Sequence, residues 1–237
     1  MSYNKKVIVD SMTIEEILEL LKDDLVFLQH KIDENLKRYK QMVKNSVKKE
    51  RVYYQPLSYK SGKGFHYTLQ FFKRADDEPD KDKLGMLYYV WFIKDRGTYA
   101  ITLSRLSLYG SYHWHYTIYT PHFFDRYRER FLKDMSICKP DVIYRFIRGN
   151  LKMSSSGHPS EKYPNCIWVA CSDGLILCNH LNSINQVAKT FITYDMAGID
   201  QKDFAFTAHQ LMLERGVEIK LPDEDFEEFE KEDIDNE

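Results

Sequence analysis

The sequence predicts an α+β fold, and three observations carry that expectation. Apolar residues recur at three- and four-residue spacing across 13–48. From Arg51 to Tyr119 the pattern shifts to period two, rich in aromatic and β-branched residues and broken by short turns. At Thr120 the rhythm changes again, to two short helices, three strands and a last helix. The expected order is an N-terminal amphipathic helix, an antiparallel β-sheet, a helix–helix–three-strand segment and a C-terminal helix. On this reading the chain divides at 1–49, 50–119, 120–196, 197–222 and 223–237.

Each element has its own signal. Thr13 and Glu16 form a Thr-x-x-Glu capping box. Behind it Ile14, Ile17, Leu18, Leu21, Leu25, Leu28, Ile32, Leu36 and Tyr39 mark one apolar face, as one long helix or a helical hairpin. Acids and bases are mixed on the other faces, which favours packing on the body or on a second copy over membrane binding. Residues 51–74 read as a hairpin around the turn Lys60–Gly64. Residues 75–83 read as a polar loop. Strands follow at Leu84–Ile93 and Thr98–Ser107, joined by Lys94-Asp-Arg-Gly97, and at Tyr112–Tyr119. Thr120–Lys133 and Lys139–Asn150 read as helices, with Pro121 and Pro140 in their first turns. Residues 151–165 read as a loop. A hairpin is expected across Asp173-Gly174, then a strand at Val187–Tyr194 and a helix near Asp203–Arg215.

Composition narrows the class of protein. With 237 residues, 17 Tyr and 14 Phe, the chain has material for a sizeable core. No apolar run approaches the length of a bilayer span, and the basic start MSYNKKVIVDSM lacks the apolar region of a signal peptide. A cytoplasmic protein with no membrane partner is expected. Cys138, Cys166, Cys171 and Cys178 form no CxxC pair, so reduced thiols are expected rather than a zinc site. The net charge of −2 is uneven: residues 223–237 hold ten acids and one Lys, a charge of −9, and leave +7 on 1–222. That acidic end reads as a solvated, disordered tail, or as a segment that shields a basic groove or docks on a basic partner. No Ser or Cys nucleophile motif and no dinucleotide fingerprint is present, and Ser154-Ser-Ser-Gly157 lacks P-loop spacing.

The segment Thr120–Arg130 holds the most suggestive chemistry. Thr120 suits an N-cap, and a regular helix places His122, Arg126, Glu129 and Arg130 on one side. The helix dipole disfavours an imidazolium in the first turn, so His122 is expected to stay neutral and able to move a proton. Two guanidinium groups nearby suit a phosphate. The alternative is ordinary packing, with Arg126 and Arg130 paired to Asp125, Glu129 or Asp134. A second set lies on the strand before it. His113, His115, Thr117 and Tyr119 alternate onto one face, better read as groove-lining than as a metal site. A third surface interleaves Arg51, Tyr53, Tyr54, Tyr59, Lys60, Lys63, Phe65, Tyr67, Phe71, Lys73 and Arg74. It has the composition of a nucleic-acid surface and also that of an ordinary sheet core.

The run HFFDRYRER, followed by KPDVIYRFIRGN and a three-strand segment, resembles a family of small bacterial domains similar to BrnT-type toxins. That family lies near the barnase–EndoU–colicin–RelE group of RNases. The resemblance covers about residues 120–196. It implies catalytic roles for His122, Arg126 and Arg130, and a substrate contact from Thr190 or Thr193; His113 and His115 on the preceding strand, and Arg128, are the further candidate substrate contacts. It also implies RNA cleavage by the 2′-hydroxyl, with no metal or cofactor. Phe123 stands where the family usually has a small residue, and residues 1–119 have no counterpart there. Beside this reading stands a non-enzymatic protein-interaction module that uses the N-terminal helix and the acidic tail. Oligomeric state is left open.

Overall fold

A computed structural model describes residues 7–76, 84–108, 111–151, 153–155 and 165–214; for 105–108, 111–113, 154, 155, 209 and 211–214 it describes the backbone alone. The expected acidic tail and the His113 side chain lie outside the described residues. The fold is α+β. Backbone contacts divide the chain into two compact units, Met1–Trp114 and His115–Glu237.

The first unit is a helix on a sheet. α1 is a single helix, Ile14–Lys44, and the Thr13–Glu16 capping box is formed in both directions. Its 31 residues run about 46 Å. Ile17, Leu18, Leu21, Leu28, Ile32 and Tyr39 are buried. The strands are β1 (Val52–Tyr53), β2 (Leu57–Lys60), β3 (His66–Lys73), β4 (Leu84–Lys94) and β5 (Gly97–Leu108). Pro56 lies between β1 and β2, and both pair antiparallel with β3, which continues to β4 and then β5. Tyr67, Leu69 and Phe71 alternate onto one face of β3 and are buried. Two of them meet α1 directly. Tyr67 donates its hydroxyl proton to the buried Asp24 at 2.8 Å, and Phe71 stacks on Tyr39 at 4.4 Å. The expected Lys94–Gly97 turn is a two-residue hairpin in which Asp95 and Arg96 both take positive φ, +50° and +61°. This is a type I′ geometry that Asn-Gly would adopt with less strain. Asp10 holds it, by accepting from the Asp95 N–H at 2.8 Å.

The second unit packs helices on a mixed sheet. Its strands are β6 (Ser111–Tyr119, which enters the unit at His115), β7 (Met153–Ser155), β8 (Cys166–Cys171), β9 (Gly174–His180) and β10 (Gln186–Ile192). The helices are α2 (Pro121–Tyr127), α3 (Lys139–Gly149) and α4 (Ile199–Glu214). The order is β6-β10-β9-β8-β7, and β6–β10 is parallel. The sequence presents antiparallel strands, and β7–β8, β8–β9 and β9–β10 keep that sense. The parallel pair follows from the long connection between those strands, which carries two helices and three other strands. β7 lies inside what the sequence presents as a loop.

The β8–β9 hairpin also differs from expectation. Cys171 pairs with Gly174, so the two loop residues are Ser172 and Asp173 rather than Asp173 and Gly174. Gly174 has φ +153°, and a Cβ there would lie 2.3 Å from the Ile192 carbonyl oxygen. The glycine serves the close approach of β9 to β10. Asp173 accepts from the Tyr127 hydroxyl at 2.7 Å and the Asn150 amide at 2.6 Å, tying the hairpin to α2 and α3. Beneath them Phe123, Phe124, Tyr127, Phe146 and Phe191 form an aromatic core, all 1 % exposed or less.

Candidate functional site

The segment after β6 forms as its sequence implies for seven residues only. Thr120 caps α2, accepting from the Phe123 N–H at 3.3 Å, and donates to the Ala188 carbonyl at 3.2 Å. From Arg128 to Leu132 the chain winds as a π-helical turn and stops at Lys133, with φ +51°. The wider turn breaks the regular spacing that would align residues 122, 126 and 130.

The charged side chains of this segment are already engaged. Arg126 pairs with Glu129 at 2.6 Å. Arg128, which is 16 % exposed, donates to the Ile137 carbonyl at 3.0 Å and to Asp125 at 3.2 Å. Asp125 also takes the Lys139 ammonium. Arg130 donates to the Phe191 carbonyl at 2.5 Å. His122 is exposed and makes no hydrogen bond or ion pair among the described residues. His115 is half-buried, and burial holds its imidazole below the usual pKa. Thr190 is half-buried beside an irregularity in the β10 register. Thr193 precedes the 3₁₀ turn Tyr194–Met196, where its carbonyl accepts from Met196. The π-helical turn thus sets Arg130 on β10, near Thr190 in sequence, while Arg126 and Arg128 are held by Glu129, Asp125 and the Ile137 carbonyl. Among the described residues, no group of three or more His, Cys, Asp or Glu stands close enough to hold a metal ion.

The first unit carries a cleft of about 780 Å³ beside the C-terminal half of α1. Leu36, Val43, Val47 and Leu84 supply its apolar lining; Lys40, Lys44, Lys48 and Lys73 supply the basic lining, with Asp76 the acid. A recess of about 490 Å³ extends along α1, past Asp33, Lys37 and Gln41. Lys73 is 6 % exposed and bonds Asp76 at 3.0 Å. Lys37, Lys40, Lys44 and Lys48 are exposed, and none makes an ion pair among the described residues. Segment 77–83, which joins Asp76 to Leu84, lies outside the described residues.

Lys37, Lys40 and Lys44 belong to a helix polarised in charge, and Lys48 follows four residues after its end. Residues 14–34 hold seven acids and two bases, a net of −5; residues 36–44, to the end of the helix, hold four bases and no acid, a net of +4, and 45–51 beyond it add +2. The expectation of mixed charge along α1 is therefore corrected to segregation by halves. Acids at the start and bases at the end complement the helix dipole, but that effect fades within a turn. Lys37 and Lys40 stand further back than that. The partial negative charge of a helix C-terminus, about half a unit, is outweighed by this many full positive charges.

Sequence reading missed this site, although the spacing Lys37, Lys40, Lys44 and Lys48 was available to it. The interleaved aromatics it singled out nearby are mostly structural. Phe65, Tyr67 and Phe71 are core, and Arg51 and Arg74 lie over the Phe72 ring at 5.3 and 5.9 Å. Compared with protein-family models, with curated proteins and with solved structures, the chain matches none.

Proposed function

We propose that this chain is a non-enzymatic interaction protein that binds an anionic protein partner along the basic half of α1. The observation that carries this reading is the row of exposed lysines, without an ion pair among the described residues, over a partly apolar cleft. Clustered charge of one sign steers an oppositely charged partner and sets its orientation, while the apolar lining adds contact area. Fluorescence anisotropy of labelled polyglutamate with the full chain tests it. Affinity should fall about tenfold between 50 and 300 mM NaCl, as screening shortens the reach of the lysines. No binding at low salt contradicts it.

A second reading rests on His122, whose exposed imidazole is available as a proton donor or acceptor. In it the resemblance to BrnT-type domains extends to activity, and RNA is cleaved by its own 2′-hydroxyl. Arg126 and Arg130 then have to leave Glu129 and the Phe191 carbonyl to reach a phosphate. Incubation with RNA in EDTA distinguishes the readings. Cleavage abolished by His122→Ala supports the nuclease, and cleavage unchanged by that substitution sinks it.

A further inference from the structure

The cleft beside α1 is amphipathic, and that narrows its partner. Its rim carries the cations Lys40, Lys44 and Lys48 with the exposed Val47 among them, and its floor is aliphatic, at Val43 and Leu84. Val47 is 96 % exposed, a large apolar side chain left open to solvent beside three ammonium groups. A ligand that meets the lysines alone leaves Val47 and the floor wet.

RNA fits such a lining poorly. Recognition of unpaired bases uses aromatic rings or arginine planes, and among the described residues neither lines the cleft. Lysine supplies point charges without the planar fork that suits phosphate. An acidic peptide with apolar anchors meets both parts of the lining, because its carboxylates face the rim while its anchors cover the floor. The geometry favours a helix as that peptide. Leu36 and Val43 are two turns apart on α1, about 10 Å along its axis, the repeat of anchors at i and i+7 on a docking helix. We infer that the cleft binds an acidic amphipathic helix of a partner protein, with apolar anchors seated on Val43, Val47 and Leu84. This inference rests on the interaction reading above and specifies the partner's chemistry.

The test is anisotropy with three labelled probes: a synthetic acidic helical peptide carrying Phe at i, i+3 and i+7, the same peptide with every Phe changed to Ala, and a 12-nucleotide polyuridylate. Each is titrated with the full chain. Each is also titrated with a full-length variant whose Asp and Glu in 223–237 are changed to Asn and Gln, so that competition from the chain's own acids is read separately. The Phe peptide should bind at least tenfold tighter than the Ala peptide to one or both proteins. Val47→Asp, at an exposed position, should remove most of that preference. Equal affinity for the two peptides, or a preference that survives Val47→Asp, overturns the inference while leaving an anion-binding α1 in place. Polyuridylate bound tighter than both peptides, and lost in K40E/K44E, overturns it and assigns the cleft to RNA. If no probe binds either protein, the interaction reading falls with it.

Discussion

His66 and Trp91 face each other across β3 and β4, with ring centroids 3.9 Å apart and planes 14° from parallel. Burial, with Lys60 on the neighbouring strand, pushes the His66 imidazole below its ordinary pKa. Burial does the same to His115. The unfolded chain therefore binds protons on these groups at a higher pH than the folded chain does. Their contribution is fully present above the unfolded value of about 6.5 and is lost as pH falls below it and through the lower folded values. Denaturant melts should show lower stability at pH 5.5 than at pH 7.5, and a smaller difference in His66→Gln and in His115→Gln. An unchanged difference in both variants contradicts this. At the same scale, Asp173-Gly174 shows how local signals mislead. The dipeptide marks a turn, and a turn is there, but its register is set by partners far along the chain. Tyr127 and Asn150 claim the Asp173 carboxylate, and Ile192 and Phe191 crowd the Gly174 position.

At the scale of elements, α1 shows why most of the first half was legible. Its capping box, apolar period and continuous length are all written locally, and its attachment follows from matching two apolar faces. The polar link is less visible: Asp24 is 7 % exposed and takes the hydroxyl proton of Tyr67, which stands 43 residues away. Burial and the Asp24 carboxylate together hold the Tyr67 phenol well above its ordinary pKa. Tyr67→Phe removes the donor and leaves a buried carboxylate oxygen unsatisfied, so chemical denaturation should show a loss of about 1–3 kcal/mol. A loss within error of zero means that Asp24 finds water instead. The second half was legible in its elements but not in its pairing. Turn signals predict hairpins, so nothing local announces that β6 and β10 run parallel. Nor does any local signal announce the π-helical turn at Arg128–Leu132, which takes Arg130 out of the expected row and sets it on the Phe191 carbonyl.

For the whole molecule, charge distribution redirects the functional reading. The sequence suggests a basic body of +7 and places its chemistry around Thr120–Arg130. Residues 1–114 hold 20 bases and 15 acids, a net of +5, whereas 115–222 hold 13 bases and 11 acids, a net of +2. The excess therefore lies mostly in the unit that contains α1, while Arg126 of α2 and Arg128 and Arg130 of the π-helical turn are spent on Glu129, Asp125 and backbone carbonyls. Spacing along a helix shows which residues share a face; it does not show which of them already have partners. The candidate site in α2 was legible as a row of residue types, and its neutralisation was not. The lysine row of α1 was equally legible, but only the adjoining wall of β3 and β4 turns it from a solvated face into a cleft.

Polyglutamate binding compared across two full-length charge reversals locates the anion site on the chain. K40E/K44E changes the cleft, and K133E/K189E makes the same change in net charge at exposed positions in the second unit. K40E/K44E should weaken binding tenfold or more at low salt, while K133E/K189E should change it less than threefold. Equal losses in the two variants would show that polyglutamate responds to net charge alone and would contradict a site beside α1.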